Sequence, residues 1–342
     1  MHMADALLSP AVGATMWAGS LAALGYSSRK LKENLDGKTI PLMGVLGAFI
    51  FAAQMINFTI PGTGSSGHLG GGMILAIILG PYAGFIVMAS VLTVQALFFA
   101  DGGLLALGCN IWNLGIYPCF IAYPLIYKPI AGDGASNRRL SLASIISVLI
   151  ALQLGAFSVV METLFSEKSE LPFGSFVLLM QPIHLAIGLI EGFVTAGIIS
   201  YVKNARPEIL EDRKAFAGIS IKNVLIVFMS LTIITGGVLS WFASTHPDGL
   251  EWAIEKVTGK GELPEQQKGI TTFLKGIQGK TAILPDYSFE SNEKEEPKKE
   301  TAPNWPGIEA GTSVSGILGG LIVLGLVLLI GFGIRSFKGR KI

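Results

Sequence analysis

Nine apolar stretches recur along this chain, separated by short polar or charged segments. They cover residues 11–26, 41–58, 71–79, 83–100, 104–127, 140–161, 176–201, 223–242 and 316–334. A membrane-crossing helix needs about 20 mostly apolar residues, and most of these stretches come close to that length. Only 14% of the residues are charged, whereas soluble proteins average about 25%. The sequence therefore predicts an all-α polytopic membrane protein and argues against a water-soluble enzyme.

The third stretch leaves one topological alternative open. Residues 71–79 are too few to cross a membrane alone, and Gly80-Pro81 separates them from the fourth stretch. Either the two stretches count separately, which makes nine spans, or they form one broken helix. The second possibility would move every later loop to the opposite side of the membrane.

Basic residues favour nine spans, because Lys and Arg are retained in cytoplasmic loops. With the N-terminus outside, most of the 25 Lys and Arg residues fall in the cytoplasmic segments 27–40, 128–139, 202–222 and 335–342. The short external segments 1–10, 59–70 and 101–103 contain no Lys or Arg. The sequence thus predicts a multi-pass protein of the cell (plasma or inner) membrane, with an external N-terminus and a cytoplasmic C-terminus.

The spacing of the stretches predicts two units. Residues 1–210 hold seven spans, and residues 211–342 hold two spans joined by a long external loop at 244–313. Within that loop, the mixed-charge stretch 285–306 is typical of a solvated linker.

Several functions are excluded by composition and spacing. A net charge of +1 provides no basic surface for nucleic acid. Cys109 and Cys119 lie in one apolar stretch and do not make a disulfide framework. The glycine pattern at 62–67 lacks the strand, helix and acidic residue of a dinucleotide site, and the Gly-Lys-Thr at 279–281 lacks the first glycine of a phosphate-binding loop. Any ATP-driven function therefore requires partner proteins.

Two of the four histidines fall in the short external segments. His2 lies at the N-terminus, and His68 lies in a glycine-rich loop. No signal peptide is predicted, so we expect Met1 to keep a free α-amine. That amine, the His2 backbone nitrogen and the His2 imidazole can bind one ion in a plane, which is typical of Ni(II) or Cu(II), and His68 can supply a fourth nitrogen. A solvated His2 and a hydrogen-bonded His68 are the alternative interpretation.

Residues around these histidines are candidates for a second ligand sphere. Ser65 and Ser66 are placed to orient an imidazole. Asp5 is a candidate second-sphere carboxylate, with an anchoring or capping role as the alternative. Asn57 is the fourth candidate for the second ligand sphere.

Polar residues inside the spans are expected to face the interior of the bundle. His184 and Glu191 lie seven residues apart and share one helix face, so they are a candidate pair. Interhelical hydrogen bonding is the alternative role for these side chains.

Three segments carry a family resemblance: Met-His-Met-Ala-Asp-Ala at 1–6, Gly-Ser-Ser-Gly-His-Leu at 64–69, and His-Leu-Ala-Ile-Gly-Leu-Ile-Glu-Gly at 184–192. Together they resemble the CbiM/NikM substrate-specific (S) components of energy-coupling-factor (ECF) transporters, over roughly residues 1–203. The segment His-Pro-Asp-Gly-Leu-Glu-Trp at 246–252 resembles the PDGLE motif of the NikN-type accessory subunit. The chain thus resembles an M component fused to an N component.

The resemblance implies a square-planar site formed by the Met1 amine, the His2 backbone and side-chain nitrogens and the His68 imidazole. It also implies a transmembrane T component and cytoplasmic ATPase subunits as partners, with this chain as the non-catalytic component. The transported substrate is then Ni(II), with Co(II) uptake for cobalamin synthesis as the alternative and no organic cofactor.

Two other classes compete with transport. A membrane-embedded enzyme would use Glu162, His184 and Glu191, and a metal sensor would signal through its tails, although the cytoplasmic loops are short for an output domain.

Overall fold

The structure is a computed structural model that describes residues 2–168, 171–211, 221–260, 263, 269–289 and 306–336. Its helices are α1 (Pro10–Asn34), α2 (Thr39–Gln54), α3 (Gly72–Leu79), α4 (Pro81–Phe98), α5 (Leu107–Ile111), α6 (Lys128–Ala131), α7 (Asn137–Ser166), α8 (Phe173–Ala205), α9 (Glu208–Glu211), α10 (Lys222–Gly237), α11 (Gly249–Thr258), α12 (Ile270–Thr281) and α13 (Ala310–Ser336). A π-helical segment, Trp112–Tyr127, continues α5 into α6. Strands β1 (Phe58–Ile60) and β2 (Ser65–Gly67) form an antiparallel hairpin.

The predicted helical membrane architecture is confirmed in its coarse form. Within the described residues, four helices (α4, α7, α8 and α13) are long and apolar enough to cross a membrane, and α2 and α10 are shorter apolar helices. Helix α1 has 25 residues and begins at a standard start signal, in which the Ser9 hydroxyl accepts from Val12 N and proline occupies the first position.

The chain reverses between α3 and α4. Gly80 has a φ of +85°, which favours glycine, and Pro81 then begins α4. A Cβ atom on Gly84 would lie only 2.9 Å from the Leu75 carbonyl carbon, so the two helices touch backbone to backbone. The two stretches therefore form a tight hairpin and not one broken helix. Since α3 is about 12 Å long at 1.5 Å per residue, the loop before it enters the bundle.

Two prolines explain the π-helical segment. Pro118 and Pro124 lie inside Trp112–Tyr127, and a proline inside a helix removes a hydrogen-bond donor and displaces the preceding turn. The i→i+5 hydrogen bonding of a π-helix replaces the regular α-helical bonding along this segment.

The C-terminal helices pack on the N-terminal bundle. Helix α2 lies against both α10 and α13. A Cβ on Gly319 would overlap the ring of Phe51, and Gly316 meets the backbone of Gly236 in the same way. Small residues at helix crossings allow this close approach. The mixed-charge segment predicted as a linker falls mostly outside the described residues.

Candidate functional site

The N-terminal segment is fastened to the start of α5 by hydrogen bonds. Met3 N donates to Asn110 Oδ1 at 2.9 Å, and Gly103 N donates to Met3 O at 3.0 Å. Asp5 Oδ1 accepts from Ala106 N at 2.9 Å. These bonds fix the backbone of residues 3–5, which directly follow His2, and so attach His2 to the helical bundle.

The loop that carries His68 is held by hydrogen bonds to Glu191 in α8. The Glu191 carboxylate accepts from Gly70 N at 2.7 Å and from Gly71 N at 2.8 Å, immediately before α3 begins. Gly71 has a φ of +75°, a backbone conformation that residues other than glycine rarely adopt. A carboxylate at the N-terminus of a helix is also favoured by the helix dipole. The loop is thus fixed inside the bundle by the carboxyl group of Glu191.

The His2 and His68 imidazoles lie side by side. Their ring centroids are 5.0 Å apart and their planes differ by 10°. The His2 side chain is 8% exposed, and His68 is 9% exposed. The His2 Nδ1 atom lies 3.3 Å from Asp101 Oδ1. Two residues 66 positions apart in sequence therefore meet in one buried site.

Both imidazoles are neutral near pH 7. Burial lowers the pKa of His2 and of His68 to about 3, because a charged ring loses its hydration inside the protein. A neutral imidazole keeps a lone pair on one nitrogen, which is the form that ligates transition metals. The site is therefore suited to a cation that prefers nitrogen.

The C-terminal unit covers this site. Ser66 N donates to Pro247 O at 2.8 Å, and Trp252 Nε1 donates to Thr63 O at 3.0 Å. Asp248, which caps α11 by accepting from Leu250 N and Glu251 N, lies beside Ser66 in a parallel bridge.

A second contact of the C-terminal unit lies at Asp101. The Tyr287 hydroxyl donates to Asp101 Oδ2 at 2.5 Å. Burial raises the pKa of Asp101. Gln278 Nε2 also donates to Ala96 O and Gly102 O, both at 2.8 Å.

The predicted second-sphere residues take other partners than expected. The Ser66 hydroxyl donates to His246 O at 2.8 Å. The Ser65 hydroxyl donates to Ser66 O at 3.1 Å and reaches Pro247 O at 3.5 Å, so neither serine donates to an imidazole. They bind the C-terminal segment because its carbonyls lie directly above β2. Asp5 has its anchoring role. The Asn57 carbonyl accepts from Ser244 N at 2.7 Å.

The predicted pairing of His184 with Glu191 is wrong. Glu191 bonds the loop before α3, and His184 Nδ1 lies 2.8 Å from Met180 O. Glu162, the third candidate of the enzyme hypothesis, accepts from Asn113 Nδ2 at 2.8 Å and from the Ser158 hydroxyl at 3.3 Å. All three side chains lie in separate local networks.

Sequence reasoning missed Asp101, Asp248 and Tyr287. Asp248 had a signal, since it lies in the Pro-Asp-Gly-Leu-Glu motif at 247–251, and Asp101 is an acidic residue in a predicted external segment. The predicted ligand Met1 lies outside the described residues. Within the part of the chain that the structure describes, no group of three or more His, Cys, Asp or Glu side chains could hold a metal ion.

Comparison with known proteins gives consistent matches. Residues 2–209 match the model of the family described as cobalt uptake substrate-specific transmembrane region, and residues 222–336 match the PDGLE domain. A putative fused nickel transport protein NikMN of Archaeoglobus fulgidus is 34% identical over 95% of this chain and 96% of its own length. A fused nickel transport protein NikMN of Rhodobacter capsulatus is 30% identical over 84% of this chain and 88% of its own length.

Cobalt and structural relatives match the N-terminal part. A cobalt transport protein CbiM of Geobacter sulfurreducens is 27% identical, covering 61% of this chain and 61% of its own length. A crystal structure of a truncated transition metal transporter superposes with a TM-score of 0.53 at 28% identity, covering 60% of this chain and 99% of that one. With a family model that matches more than half of its length, the chain belongs to the CbiM family of substrate-specific transmembrane proteins, here joined to a PDGLE domain.

Proposed function

We propose that this protein captures Ni(II) at the external face of the membrane and delivers it inward. The four ligands in this proposal are the Met1 α-amine, the His2 backbone nitrogen, the His2 imidazole and the His68 imidazole. The relatives are named transport proteins, so the chain is a transport component and not an enzyme. Uptake of Co(II) for cobalamin synthesis is the second candidate, and the family description, which names cobalt, favours it.

The observation that carries the proposal is the stacked pair of buried imidazoles from His2 and His68, whose ring centroids are 5.0 Å apart. His2 Nδ1 is the ring nitrogen that closes a six-membered chelate with its own backbone nitrogen. Ligation through Nδ1 replaces its contact with Asp101 Oδ1, whose carboxylate then lies close to the positive ion. Nitrogen ligands in a plane suit Ni(II).

The remaining parts of the proposal rest on the family resemblance and the charge pattern. The N-terminus lies outside and the C-terminus in the cytoplasm, because the basic loops lie at the opposite end of the predicted topology from His2. A transmembrane T component and cytoplasmic ATPases supply the energy. The metal-binding unit spans residues 1–210, and residues 211–342 form the accessory unit.

Titration of the purified full chain with Ni(II) and Co(II) tests the site. The protein used has Met1 confirmed as its first residue by mass spectrometry. We expect about one ion per chain, and we expect the affinity to fall at least about 100-fold in His68→Ala and in a protein with one alanine added before Met1. The added residue converts the amine into an amide, and even outer-sphere changes at metal sites cost about 10- to 100-fold.

His246→Ala is the matched control, because His246 is an exposed histidine in the segment that covers the site. It should bind as the unmodified protein does. Equal binding by all four proteins would overturn the proposed ligands. The ion that binds more tightly identifies the substrate, so a clear preference for Co(II) would replace nickel with cobalt in the proposal.

A further inference from the structure

A second histidine in the bundle has the features of a metal ligand. His184 in α8 is 1% exposed, and its Nε2 atom is buried with no hydrogen-bond partner among the described residues. A buried, unpaired ring nitrogen is costly, so such an atom calls for an explanation. His184 lies about 16 Å along α8 from its first residue, at about 1.5 Å per residue.

The tautomer of His184 follows from its other nitrogen. Nδ1 lies 2.8 Å from Met180 O, and a carbonyl oxygen only accepts, so the proton of the neutral ring is on Nδ1. Nε2 therefore carries the lone pair. Metal-binding histidines usually show this arrangement, in which one nitrogen donates to a backbone carbonyl and the other ligates.

A cavity joins His184 to the candidate site. Its lining includes His68, His184 and Asp248. The space is about 10 Å³, close to the minimum that one water molecule needs. The Asp248–Gly249 segment closes on His184, since a Cβ on Gly249 would lie 3.2 Å from His184 Cε1. His68 thus lies beside His2 and also lines a space shared with His184.

We propose that His184 Nε2 is the next ligand of the transported ion after the capture site, with His68 as the ligand common to both positions. This inference rests on the proposed function. A bare divalent ion is very costly to move through a low-dielectric interior. An ion that gains His184 before it loses His2 keeps nitrogen ligands throughout, and the Asp248 carboxylate balances its charge. Imidazole nitrogen suits Ni(II) and Co(II) alike.

His184→Cys in the full chain tests the inference by spectroscopy. The unmodified protein is first titrated with Co(II) to establish one ion per chain. In His184→Cys, a cobalt–thiolate charge-transfer band should appear and saturate at the same ion-to-protein ratio. A thiolate binds the ion more strongly than an imidazole does, so it should draw the ion from the capture site to position 184, where the metal ion deprotonates the thiol. The unmodified protein provides the baseline for Cys109 and Cys119.

Thr195→Cys is the matched control, since Thr195 is 0% exposed in the same helix and does not line the cavity. It should give no band. A His184→Cys protein that binds its ion without the band would overturn the inference and leave the capture site intact. An unmodified protein that binds no ion would overturn the proposed function instead.

A second variant covers the case in which His184→Cys does not fold. In His184→Asn, the amide nitrogen still donates to Met180 O, and the Nε2 ligand is lost. Purified protein should keep its ion affinity within about threefold, whereas metal accumulation by cells that make the complete transporter should fall at least tenfold. Accumulation equal to that of Thr195→Val would contradict a role for His184, and so would a parallel loss of affinity and accumulation.

Discussion

Glu191 shows how one buried charge organises the site at the scale of a residue. Its carboxylate accepts from two consecutive backbone N–H groups, those of Gly70 and Gly71. Hydrogen bonds to a charged group contribute about 1.5–3 kcal/mol each. These bonds hold the loop that carries His68, although Glu191 itself is not among the proposed ligands.

Replacing Glu191 with glutamine should therefore weaken metal binding. The amide offers one acceptor oxygen and turns an N–H₂ group towards a backbone donor, so the loop loses at least one strong bond. We expect Glu191→Gln to lower the Ni(II) affinity at least about tenfold by calorimetric titration, and to lower the melting temperature. Glu162→Gln is the control, because the Glu162 carboxylate is also buried but accepts from Asn113 and Ser158 and not from the loop that carries His68. It should melt earlier and bind normally. Normal binding by Glu191→Gln would contradict the role of this carboxylate.

The histidine pair should make the stability of the protein depend on pH. Burial lowers the pKa of His2 and His68 to about 3, whereas both take up protons near pH 6.5 in an unfolded chain. Their contribution is therefore complete above pH 6.5 and is lost as the pH falls from 6.5 towards 3. Melting temperatures of the metal-free protein should decrease over that range.

His68→Phe isolates the contribution of one ring, because phenylalanine keeps a flat side chain beside His2 and does not titrate. Its melting temperature should fall less steeply below pH 6.5 than that of the unmodified protein. Parallel curves for the two proteins would show that the pH dependence arises elsewhere.

At the scale of elements, the contact between α11 and α8 decides how the site is covered. Gly249 begins α11, and a Cβ there would lie 3.2 Å from both His184 Cε1 and Ile183 Cγ2. A larger side chain has no room at this contact. The Asp248–Glu251 capping box fixes the start of α11, so Asp248 and Gly249 move together with this helix.

Gly249→Val should detach this segment from the His68 loop. The bond from Ser66 N to Pro247 O would then open more often, and we expect at least tenfold faster amide exchange in the peptide around Ser66. Gly276→Val is the control, because Gly276 lies inside α12 with no atom within 4 Å of its Cβ position. Unchanged exchange in Gly249→Val would argue that the cover does not depend on this contact.

Elements differed in how well the sequence predicted them. The long helices follow directly from apolar stretches, because a membrane-spanning backbone must satisfy its hydrogen bonds within the segment. The β1–β2 hairpin was missed, since its strands have three residues each and lie in a glycine-rich loop without alternation. The partners of Ser65 and Ser66 were also missed, because they lie about 180 residues further along the chain.

At the scale of the whole molecule, the C-terminal helices form part of the same bundle. Helix α13 packs on α2, where Gly319 meets the ring of Phe51. The contacts at Ser66 and Asp101 add a second attachment. With both the α13–α2 contact and the contacts at Ser66 and Asp101, the N-terminal and C-terminal units should stay associated even when the peptide that joins them is cut.

A chain divided after residue 211 tests this attachment. We expect residues 1–211 and 212–342, produced together, to purify as a one-to-one complex. Gly319→Leu in the second piece should reduce its recovery severalfold, because leucine collides with Phe51. Gly325→Leu is the matched control in the same helix, since Gly325 has no atom within 4 Å of its Cβ position. Independent migration of the two pieces, or equal recovery of both variants, would contradict the packing seen here.

The sequence alone determined the class of protein and the histidines to examine. Apolar length and low charge report the membrane environment directly, and the rarity of histidine drew attention to His2 and His68. Only the tertiary structure decided that these two rings stack, that Glu191 holds the loop beneath them, and that Asp248 and Tyr287 reach the site from the C-terminal unit. Composition and local patterns depend on neighbouring residues, whereas these contacts join distant residues through packing, which no local pattern encodes.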